Sequence, residues 1–339
     1  MFSSIIKVLG IFLLLFQSLP GCDKEGELQR VHFNGQAQGT TYHVTYLSRE
    51  GLNYQKDMEL ILEKIDSSLS LYRPASLINR FNESQTGVIM DRYFKEVVKK
   101  GQEVSRRSSG AFDMTVKPLV DAWGFGEERH AVVPDSSEIK ELLQLVDYRL
   151  LEIKGDSLVK KHPDVRIDAN GIAQGYTLDV LAEFLEKRKI SNYLVELGGE
   201  IRVRGVNEQG RQWRIAIEAP PGKEGGNAPQ SKLISVSGKG LSTSGNYRRF
   251  FESGGKHYAH TIDPRSGFPS QSGVVSVTVL APDCITADAW DNVLMVLGVR
   301  ASMEKLKSNK RLEAFFVYYD KNGRLADTST AGFKEFYLQ

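Results

Sequence analysis

The sequence lacks a strong excess of charge of either sign, and it lacks an apolar run long enough for a mature membrane helix. Its 44 lysines and arginines nearly balance 42 aspartates and glutamates, which leaves a formal net charge of +2. Such a chain has no global field to attract a polyanion, so nucleic acid is not an expected partner. The sustained apolar run at residues 5–16 is shorter than the ~20 residues that span a bilayer. With 41% apolar residues the chain can still bury a large core, which excludes bulk disorder.

Several common catalytic and nucleotide-binding motifs are also absent. The sequence contains no G-x-x-x-x-G-K-[ST] phosphate loop, no G-x-G-x-x-G fingerprint, no G-x-S-x-G elbow and no C-x-x-C pair. The common nucleotide-binding folds are therefore not indicated. Any functional site must be built from smaller polar clusters at the ends of predicted strands, where sites are often found.

The N-terminus has the layout of a bacterial export signal. A short start with Lys7 precedes the apolar run, and the sequence LPGC at residues 19–22 places small residues directly before a cysteine. The Leu-x-Gly-Cys pattern resembles a lipobox, which implies a signal peptide at residues 1–21 and a lipid on the thiol of Cys22. A plain signal peptide with an incidental cysteine is the alternative.

The residue after this cysteine indicates where the protein would be held. Asp23 resembles the signal that retains lipoproteins at the inner membrane of Gram-negative bacteria. We therefore expect a protein on the periplasmic face of that membrane, anchored by acyl chains at Cys22, with residues 22–30 as a tether. Cys284 would then be the one remaining thiol, so the fold cannot rest on an intrachain disulfide. We expect Cys284 to be a buried small hydrophobe.

The order of the predicted elements favours an α+β fold. Helical spacing of apolar residues marks two amphipathic helices at residues 58–69 and after Asp91, whereas alternating or apolar runs between Gly and Pro dominate the second half. The strand candidates are residues 41–47, 165–168, 193–197, 201–204, 213–218, 233–236, 274–280 and 313–319, and further helices are expected at residues 178–185 and from Ala287. Few βαβ units follow from this order, so we expect two subdomains around one cleft rather than a doubly wound sheet. Residues 220–230 form an expected flexible insertion.

An acidic helix start is the clearest candidate for a metal site. If residues 287–292 (ADAWDN) are helical, Asp288, Asp291 and Asn292 place three side-chain oxygens on one face. Oxygen ligands of this kind suit Mg²⁺, which often keeps water or substrate phosphates in its remaining positions. The alternative is a first helical turn in which the aspartates only complement the helix dipole.

A histidine cluster follows a strand candidate at residues 260–267 (HTIDPRSG). An imidazole can accept a hydroxyl proton near neutral pH, so His260 is a candidate general base, with Asp263 nearby to orient it. His257 is a weaker rival because it would point to the opposite face of the strand. An ordinary Asp-Pro turn with a hydrogen-bonded histidine is the alternative.

Three further clusters are ambiguous by themselves. Residues 242–245 (STSG) offer hydroxyls and a turn that can cradle phosphate oxygens, although such turns are common without a ligand. Residues 110–113 (GAFD) and 168–176 (DANGIAQGY) are similar, and Asp168 at the end of a predicted strand occupies a usual position for a carboxylate that faces a ligand.

Taken in order, these clusters resemble the ApbE family of flavin transferases, which attach FMN from FAD to a threonine of an acceptor protein. The resemblance runs through eight motifs, at residues 39–42 (GTTY), 71–72 (LY) with Asn79, 110–113, 168–175, 196–200 (ELGGE), 242–245, 260–267 and 287–292. It implies an ApbE-like (T-fold-like) architecture over residues 31–339, with two subdomains around a flavin-binding cleft.

The resemblance also implies the site residues. FAD, the substrate, would be contacted by Gln38, Tyr72, Ala111, Phe112, Asp113, Asp168, Gln174 and Ile262. Mg²⁺ would be held by the backbone carbonyl of Gly171 and by Asp288, Asp291 and Asn292. His260 would take the proton of the acceptor threonine while its oxygen attacks the FMN phosphorus and AMP leaves. The implied acceptors are exported subunits of redox complexes of the Nqr and Rnf type.

Two other functions fit the same residues. A Mg²⁺-dependent FAD hydrolase would release FMN and AMP with water in place of the threonine. A flavin-binding lipoprotein without turnover would keep Phe112 and Asp168 but would not require His260 or Asp288. The sequence also departs from the family pattern: Gln38 stands where Met is frequent, Asn292 where Thr is usual, and Asn170-Gly171 where two small residues are usual. Because an amide carbonyl can coordinate Mg²⁺, we expect metal binding to survive.

Overall fold

The computed structural model describes residues 27–218, 231–246, 250–253 and 256–338. The expected signal peptide, the lipidation site Cys22, most of the expected tether and the insertion at residues 220–230 lie outside these ranges. Within them, no helix combines the length and the apolar character needed to cross a bilayer.

Fifteen strands lie in the described part of the chain and are numbered in chain order. They are β1 (Gln29–Ala37), β2 (Thr40–Ser48), β3 (Gly87–Ile89), β4 (Leu151–Lys154), β5 (Ser157–Lys160), β6 (Asn192–Leu197), β7 (Glu200–Arg204), β8 (Trp213–Ile217), β9 (Lys232–Val236), β10 (Lys239–Gly245), β11 (Phe250–Ser253), β12 (Lys256–Ala259), β13 (Val274–Ala281), β14 (Glu313–Tyr319) and β15 (Leu325–Ser329).

Of the seven helices in the described residues, five lie in the first half of the chain and two in the second half. They are α1 (Gln55–Leu69), α2 (Leu77–Glu83), α3 (Arg92–Ser108), α4 (Lys117–Ala122), α5 (Ser136–Leu142), α6 (Ala173–Lys187) and α7 (Cys284–Lys307). Short 3₁₀ turns at Met114–Val116 and Gly332–Phe336 join or end these elements. The mixture of helices with largely antiparallel sheets confirms the predicted α+β class.

One eight-stranded sheet organises the fold. Its strand order is β1-β2-β6-β7-β10-β13-β14-β15, and all of its ladders are antiparallel. Three small sheets accompany it: β3-β5-β4, β8-β9 and β11-β12. Because the central strands β10 and β13 meet helix α7, the acidic start of that helix is held against the middle of the main sheet.

The main sheet is covered on both faces. Every residue of β13 is buried, since alternate side chains enter different clusters. Val277 and Val279 pack with the helices, whereas Val275 and Leu280 pack with β8, β9 and the C-terminal turn around Phe333. A strand buried on both faces reads as a continuous apolar run, which is how residues 274–280 appear in the sequence.

Two predicted strand assignments differ from the structure. Strand β1 was not expected, because its polar residues leave only Val31 and Phe33 buried; it begins at Gln29, inside the expected tether, and pairs with β2. Residues 165–168 were expected as a strand and are not one. They join no ladder and are held by hydrogen bonds from the Ile167 amide to Asn82 (2.8 Å) and from the Asp168 amide to the Met114 carbonyl (2.7 Å).

Candidate active site

A cleft of about 760 Å³ collects most of the predicted site residues. Its lining comes from the 3₁₀ turn and α4 region, the turn before α6, strand β10, the segment after β12 and the start of α7. Of the predicted residues it contains Ala111, Phe112, Asp113, Asp168, Gly171, Gln174, His260, Ile262, Asp288, Asp291 and Asn292. Segments more than 100 residues apart in sequence thus meet in one place.

The start of α7 is capped by residues other than the predicted metal ligands. Asp283 accepts a hydrogen bond from the Thr286 amide (3.0 Å), and the α6 residue Asp179 accepts from the amides of Cys284 and Ile285 (2.9 Å each). Two carboxylates therefore already satisfy the helix N-terminus. Asp288 and Asp291 lie one to two turns further on, so complementing the helix dipole does not explain them.

Asp288 and Asp291 are buried carboxylates with defined partners. Asp288 is 4% and Asp291 2% exposed. Asp288 Oδ2 accepts from the Gly175 amide (2.8 Å), and Asp291 Oδ2 accepts from the Ser242 hydroxyl (2.6 Å). Burial raises the pKa of both carboxyl groups well above the usual value, and the negative charge of Glu200 raises it further. A bound cation would offset both costs.

Asn292 stands between the oxygens that the metal would use. Its amide nitrogen lies 2.9 Å from Asp291 Oδ1, 3.0 Å from the Asp288 carbonyl and 3.4 Å from the Gly171 carbonyl. The NH₂ group thus faces the same oxygen cage that a cation would fill. Because the two ends of an amide are assigned from hydrogen bonds, a half-turn about its last torsion brings its oxygen to this position.

The donor set fits Mg²⁺ in its chemistry. Two carboxylates, a backbone carbonyl and an amide converge, and all can offer hard oxygen atoms. Among the described residues, no group of three His, Cys, Asp or Glu side chains is placed to hold a metal. The site therefore depends on the neutral oxygens of Gly171 and Asn292, as expected for an ion that keeps water or substrate ligands.

The hydroxyl cluster at residues 242–245 supports the acidic pair. Ser242 is fully buried and donates to Asp291, while the Thr243 hydroxyl lies 2.9 Å from that of Thr278 on β13. Thr243, Ser244 and Gly245 line the cleft directly. Ser242 is therefore engaged inside the protein, whereas the rest of the cluster faces the cleft, and its role as a phosphate cradle stays a prediction.

Asp168 and Asp113 form the flank of the cleft near the aromatic Phe112. Burial raises the pKa of Asp168 to about 6, although the Asn170 amide donates to its carboxylate at 2.7 Å. Burial also raises the pKa of Asp113, whose oxygens accept from the Thr115 amide and hydroxyl and from the Tyr148 amide. Asp168 thus has more capacity left for a ligand than Asp113 has.

His260 lies on a segment that is fixed on both sides. The Thr261 hydroxyl donates to Asn246 (3.0 Å), and a backbone bridge joins Ile262 to Pro269. The His260 ring meets Phe125 edge to face, with centroids 6.4 Å apart. The segment therefore presents the imidazole to the cleft.

The expected support of His260 by Asp263 is wrong. The Asp263 carboxylate accepts from the Arg265 amide (3.0 Å) and guanidinium (2.8 and 2.9 Å). This arginine stands two residues away and binds both carboxylate oxygens, so Asp263 stabilises the Asp-Pro turn instead. The side chain of the rival His257 lies outside the described part of the structure.

Two predicted flavin contacts lie outside the cleft lining. Tyr72 is 63% exposed on the loop after α1. Gln38 has a positive φ of 51° at the β1–β2 turn and donates from Nε2 to the Thr177 hydroxyl on α6 (2.9 Å). Its Oε1 is buried without a hydrogen-bond partner. The structure thus leaves both assignments as predictions.

One part of the lining was missed by sequence reasoning. Residues 124–131 (GFGEERHA), which we call the cleft loop, contribute Gly124, Phe125, Arg129, His130 and Ala131. The combination of glycines, an aromatic ring and basic side chains in a segment without regular structure was the available signal. No familiar motif contains this combination, so the sequence alone did not indicate a site there.

Comparisons with known proteins show the family to which the chain belongs. Residues 38–316 match the model of the ApbE family. The FAD:protein FMN transferase of Vibrio cholerae serotype O1 is 38% identical over 299 residues, which cover 86% of this chain and 88% of the relative. The protein of the same description from Haemophilus influenzae is 34% identical over 327 residues, 93% of each chain.

Solved structures show the same fold. The flavin transferase ApbE of V. cholerae superimposes with a TM-score of 0.82 at 34% identity, covering 91% of this chain and 99% of that one. The apo flavinyl transferase ApbE of Pseudomonas stutzeri gives a TM-score of 0.82 at 36% identity, covering 91% and 97%. With most of its length matched by the family model and by these relatives, the chain belongs to the ApbE family.

Proposed function

We propose that this protein transfers FMN from FAD to a threonine hydroxyl of an acceptor protein in a Mg²⁺-dependent reaction that releases AMP. The observation that carries the proposal is the meeting of Asp288, Asp291, the Gly171 carbonyl and His260 in one cleft. An oxygen cage beside an imidazole is what phosphoryl transfer to a hydroxyl requires.

The metal would be held by Asp288, Asp291, the Gly171 carbonyl and the amide of Asn292. When bound, Mg²⁺ supplies positive charge against the diphosphate of FAD. The protein contributes the rigidity of this cage: Ser242 orients Asp291, and the Gly175 amide orients Asp288. Fixed ligands lower the reorganisation needed during the reaction.

His260 would act as the general base. Its segment is anchored at Asn246 and Pro269, so the imidazole keeps its place as substrates enter. A neutral ring nitrogen can accept the proton of the threonine hydroxyl as its oxygen attacks phosphorus. Since Asp263 is engaged with Arg265, this role does not depend on a carboxylate partner at that position.

The flavin nucleotide would lie along the remaining lining. Phe112 offers an aromatic face, and Ala111, Gln174 and Ile262 complete a wall of mixed polarity. Asp168 would accept hydrogen bonds from the sugar or ring nitrogens in its ionised form. Gln38, Tyr72 and Asp113 remain further proposed contacts on the strength of the family resemblance.

We further propose the location and the partners. The export signal and the lipobox-like Cys22 support a lipoprotein anchored on the periplasmic side of the inner membrane. There the acceptors would be exported subunits of redox complexes, such as those of the Nqr and Rnf type. Labelling with a radioactive fatty acid, lost in a Cys22→Ala variant, tests the anchor.

One experiment tests the reaction. The mature protein is incubated with FAD, Mg²⁺ and a threonine-bearing acceptor domain, and AMP and the mass of the acceptor are measured. Transfer predicts AMP together with acceptor mass gained as FMN. AMP with an unmodified acceptor would indicate an FAD hydrolase, and bound FAD without AMP would indicate a flavin-binding protein without turnover.

A further inference from the structure

The cleft loop is held so that one basic side chain faces the substrate space. Gly124 has a φ of +71°, and a Cβ there would lie 2.1 Å from the His130 carbonyl oxygen, so the two ends of the loop touch through their backbones. The His130 ring nitrogen lies 3.1 Å from the Asp121 carbonyl. The loop therefore closes on itself at the rim of the cleft, with Arg129 directly before this closure.

A buried lysine fixes the other side of the loop. Lys117 Nζ donates to Glu127 at 2.7 Å and also to Asp121. Burial alone would lower the pKa of Lys117, but these two carboxylates outweigh it and the pKa is raised, so the amine stays charged. Glu127 is thereby tied to α4, two residues before Arg129.

The cleft loop is also joined to the segment that carries His260. Trp123 precedes the cleft loop and donates from its indole nitrogen to the Gly267 carbonyl at 2.8 Å. Its ring also packs against Tyr258, with centroids 5.4 Å apart. Arg129 is therefore presented by a loop that is anchored on both sides and linked to the base.

Arg129 differs in charge from most of the ionisable residues that line the cleft. Carboxylates dominate, with Asp113, Asp168, Glu200, Asp288 and Asp291, and among the described lining residues Arg129 is the only arginine or lysine. Arg265, on the segment that follows His260, binds Asp263 instead. No hydrogen bond or ion pair joins the guanidinium of Arg129 to another described residue.

We propose that Arg129 is a phosphate-binding residue of the cleft, which contacts the diphosphate of FAD and the phosphate of the AMP product. The inference rests on the proposed function for the identity of the nucleotide. A planar guanidinium binds two phosphate oxygens at once, which an ammonium group does not. Arg129 thus supplies the positive charge that the acidic lining lacks when a doubly charged diphosphate enters beside the metal.

The test compares ligands with and without phosphate. Binding of FAD, AMP and riboflavin is measured by calorimetry for the wild type, Arg129→Gln and Arg129→Lys, with Arg106→Gln on the exposed face of α3 as matched control. We expect Arg129→Gln to weaken FAD and AMP about tenfold and to leave riboflavin unchanged, with Arg129→Lys between the two. Added NaCl should weaken FAD binding less in Arg129→Gln than in the wild type.

Other outcomes overturn the inference. Unchanged FAD and AMP affinities in Arg129→Gln, or an equal loss for riboflavin, would show that Arg129 does not recognise phosphate. A wild-type protein that binds AMP through Arg129 but not FAD would refute the proposed function while the phosphate site stands. Binding of neither nucleotide by the wild type would remove both.

Discussion

The amide of Gly175 donates to Asp288 Oδ2 at 2.8 Å, and a Cβ on Gly175 would lie only 2.7 Å from the Cβ of Asp288. The Cys284 carbonyl oxygen would be closer still, at 2.4 Å. Helices α6 and α7 thus meet backbone to backbone where the proposed metal cage begins. A glycine is required there because any side chain would push the acidic helix away from the Gly171 carbonyl.

This contact predicts the effect of Gly175→Ala. The added methyl group has no room, so α6 and α7 must separate, and we expect a loss of about 2 kcal/mol in the free energy of unfolding despite the better helix propensity of alanine. Mg²⁺ should also stabilise this variant less than the wild type. Urea unfolding with and without Mg²⁺ measures both effects, with Lys187→Ala on the exposed side of α6 as control. Wild-type stability and metal response in Gly175→Ala would show that the helices can move apart freely.

Asp288→Asn distinguishes the energetic cost of burying the Asp288 charge from the contribution of that charge to Mg²⁺ binding. The substitution removes a buried negative charge beside Asp291 and keeps an oxygen for the Gly175 amide, so the unfolding free energy without metal should not fall. At a hundred times its Kd, Mg²⁺ adds about 2.7 kcal/mol to the wild type, and this gain should vanish in the variant.

Thermal unfolding in a Mg²⁺ titration measures this response. The control Asp164→Asn carries the same change at an exposed site and should respond like the wild type. An Asp288→Asn variant with the full Mg²⁺ gain would place the metal elsewhere.

His260→Ala tests the base. The substitution removes a proton acceptor but none of the proposed metal ligands, so FAD binding should stay within about twofold while the rate of transfer falls 10²- to 10⁴-fold. Flavin fluorescence measures the first and acceptor mass the second. His162→Ala, at an exposed site far along the chain, provides the control. Transfer at the wild-type rate would remove His260 as the base.

We expect Asp168→Asn to change how the free energy of unfolding depends on pH. The pKa of Asp168 is raised to about 6 in the folded protein by burial, against ~3.9 in an unfolded chain. A carboxyl group whose pKa is raised by folding stabilises the folded protein at pH values below its pKa in the unfolded chain. This stabilisation is lost as the pH rises through about 6. The wild type should therefore lose about 2 kcal/mol from this group between pH 4.5 and pH 7.5, and the variant should not.

Urea unfolding at these two pH values of the wild type, Asp168→Asn and the exposed control Asp164→Asn isolates the contribution. Other buried carboxylates such as Asp288 titrate equally in all three proteins, so the difference belongs to Asp168. Parallel pH profiles of the wild type and Asp168→Asn would show that the carboxyl is solvated in the folded state.

The sequence determined much of the element order and part of the site. Periodicity was sufficient for α1 and α3, and the spacing of Asp288, Asp291 and Asn292 placed them correctly on one helix face, because helix geometry is local. Strand β1 was not predicted from the sequence, because its outer face is polar and its partner β2 comes later in the chain. The strand expected at residues 165–168 did not form because an alternation of apolar and charged residues does not reveal whether a ladder partner exists.

What only the tertiary structure decided concerns partners that are distant along the chain. The capping of α7 by Asp179, the contact of Gly175 with Asp288 and the placement of Arg129 at the cleft each join segments whose pairing no local pattern encodes. The pairing of Asp263 with Arg265 is local, yet the sequence places both this arginine and the His260 imidazole near one carboxylate, and the turn geometry pairs it with the arginine. The amino-acid sequence thus fixes which groups are available, whereas the packing of α6, α7 and the sheet decides which oxygens and charges meet.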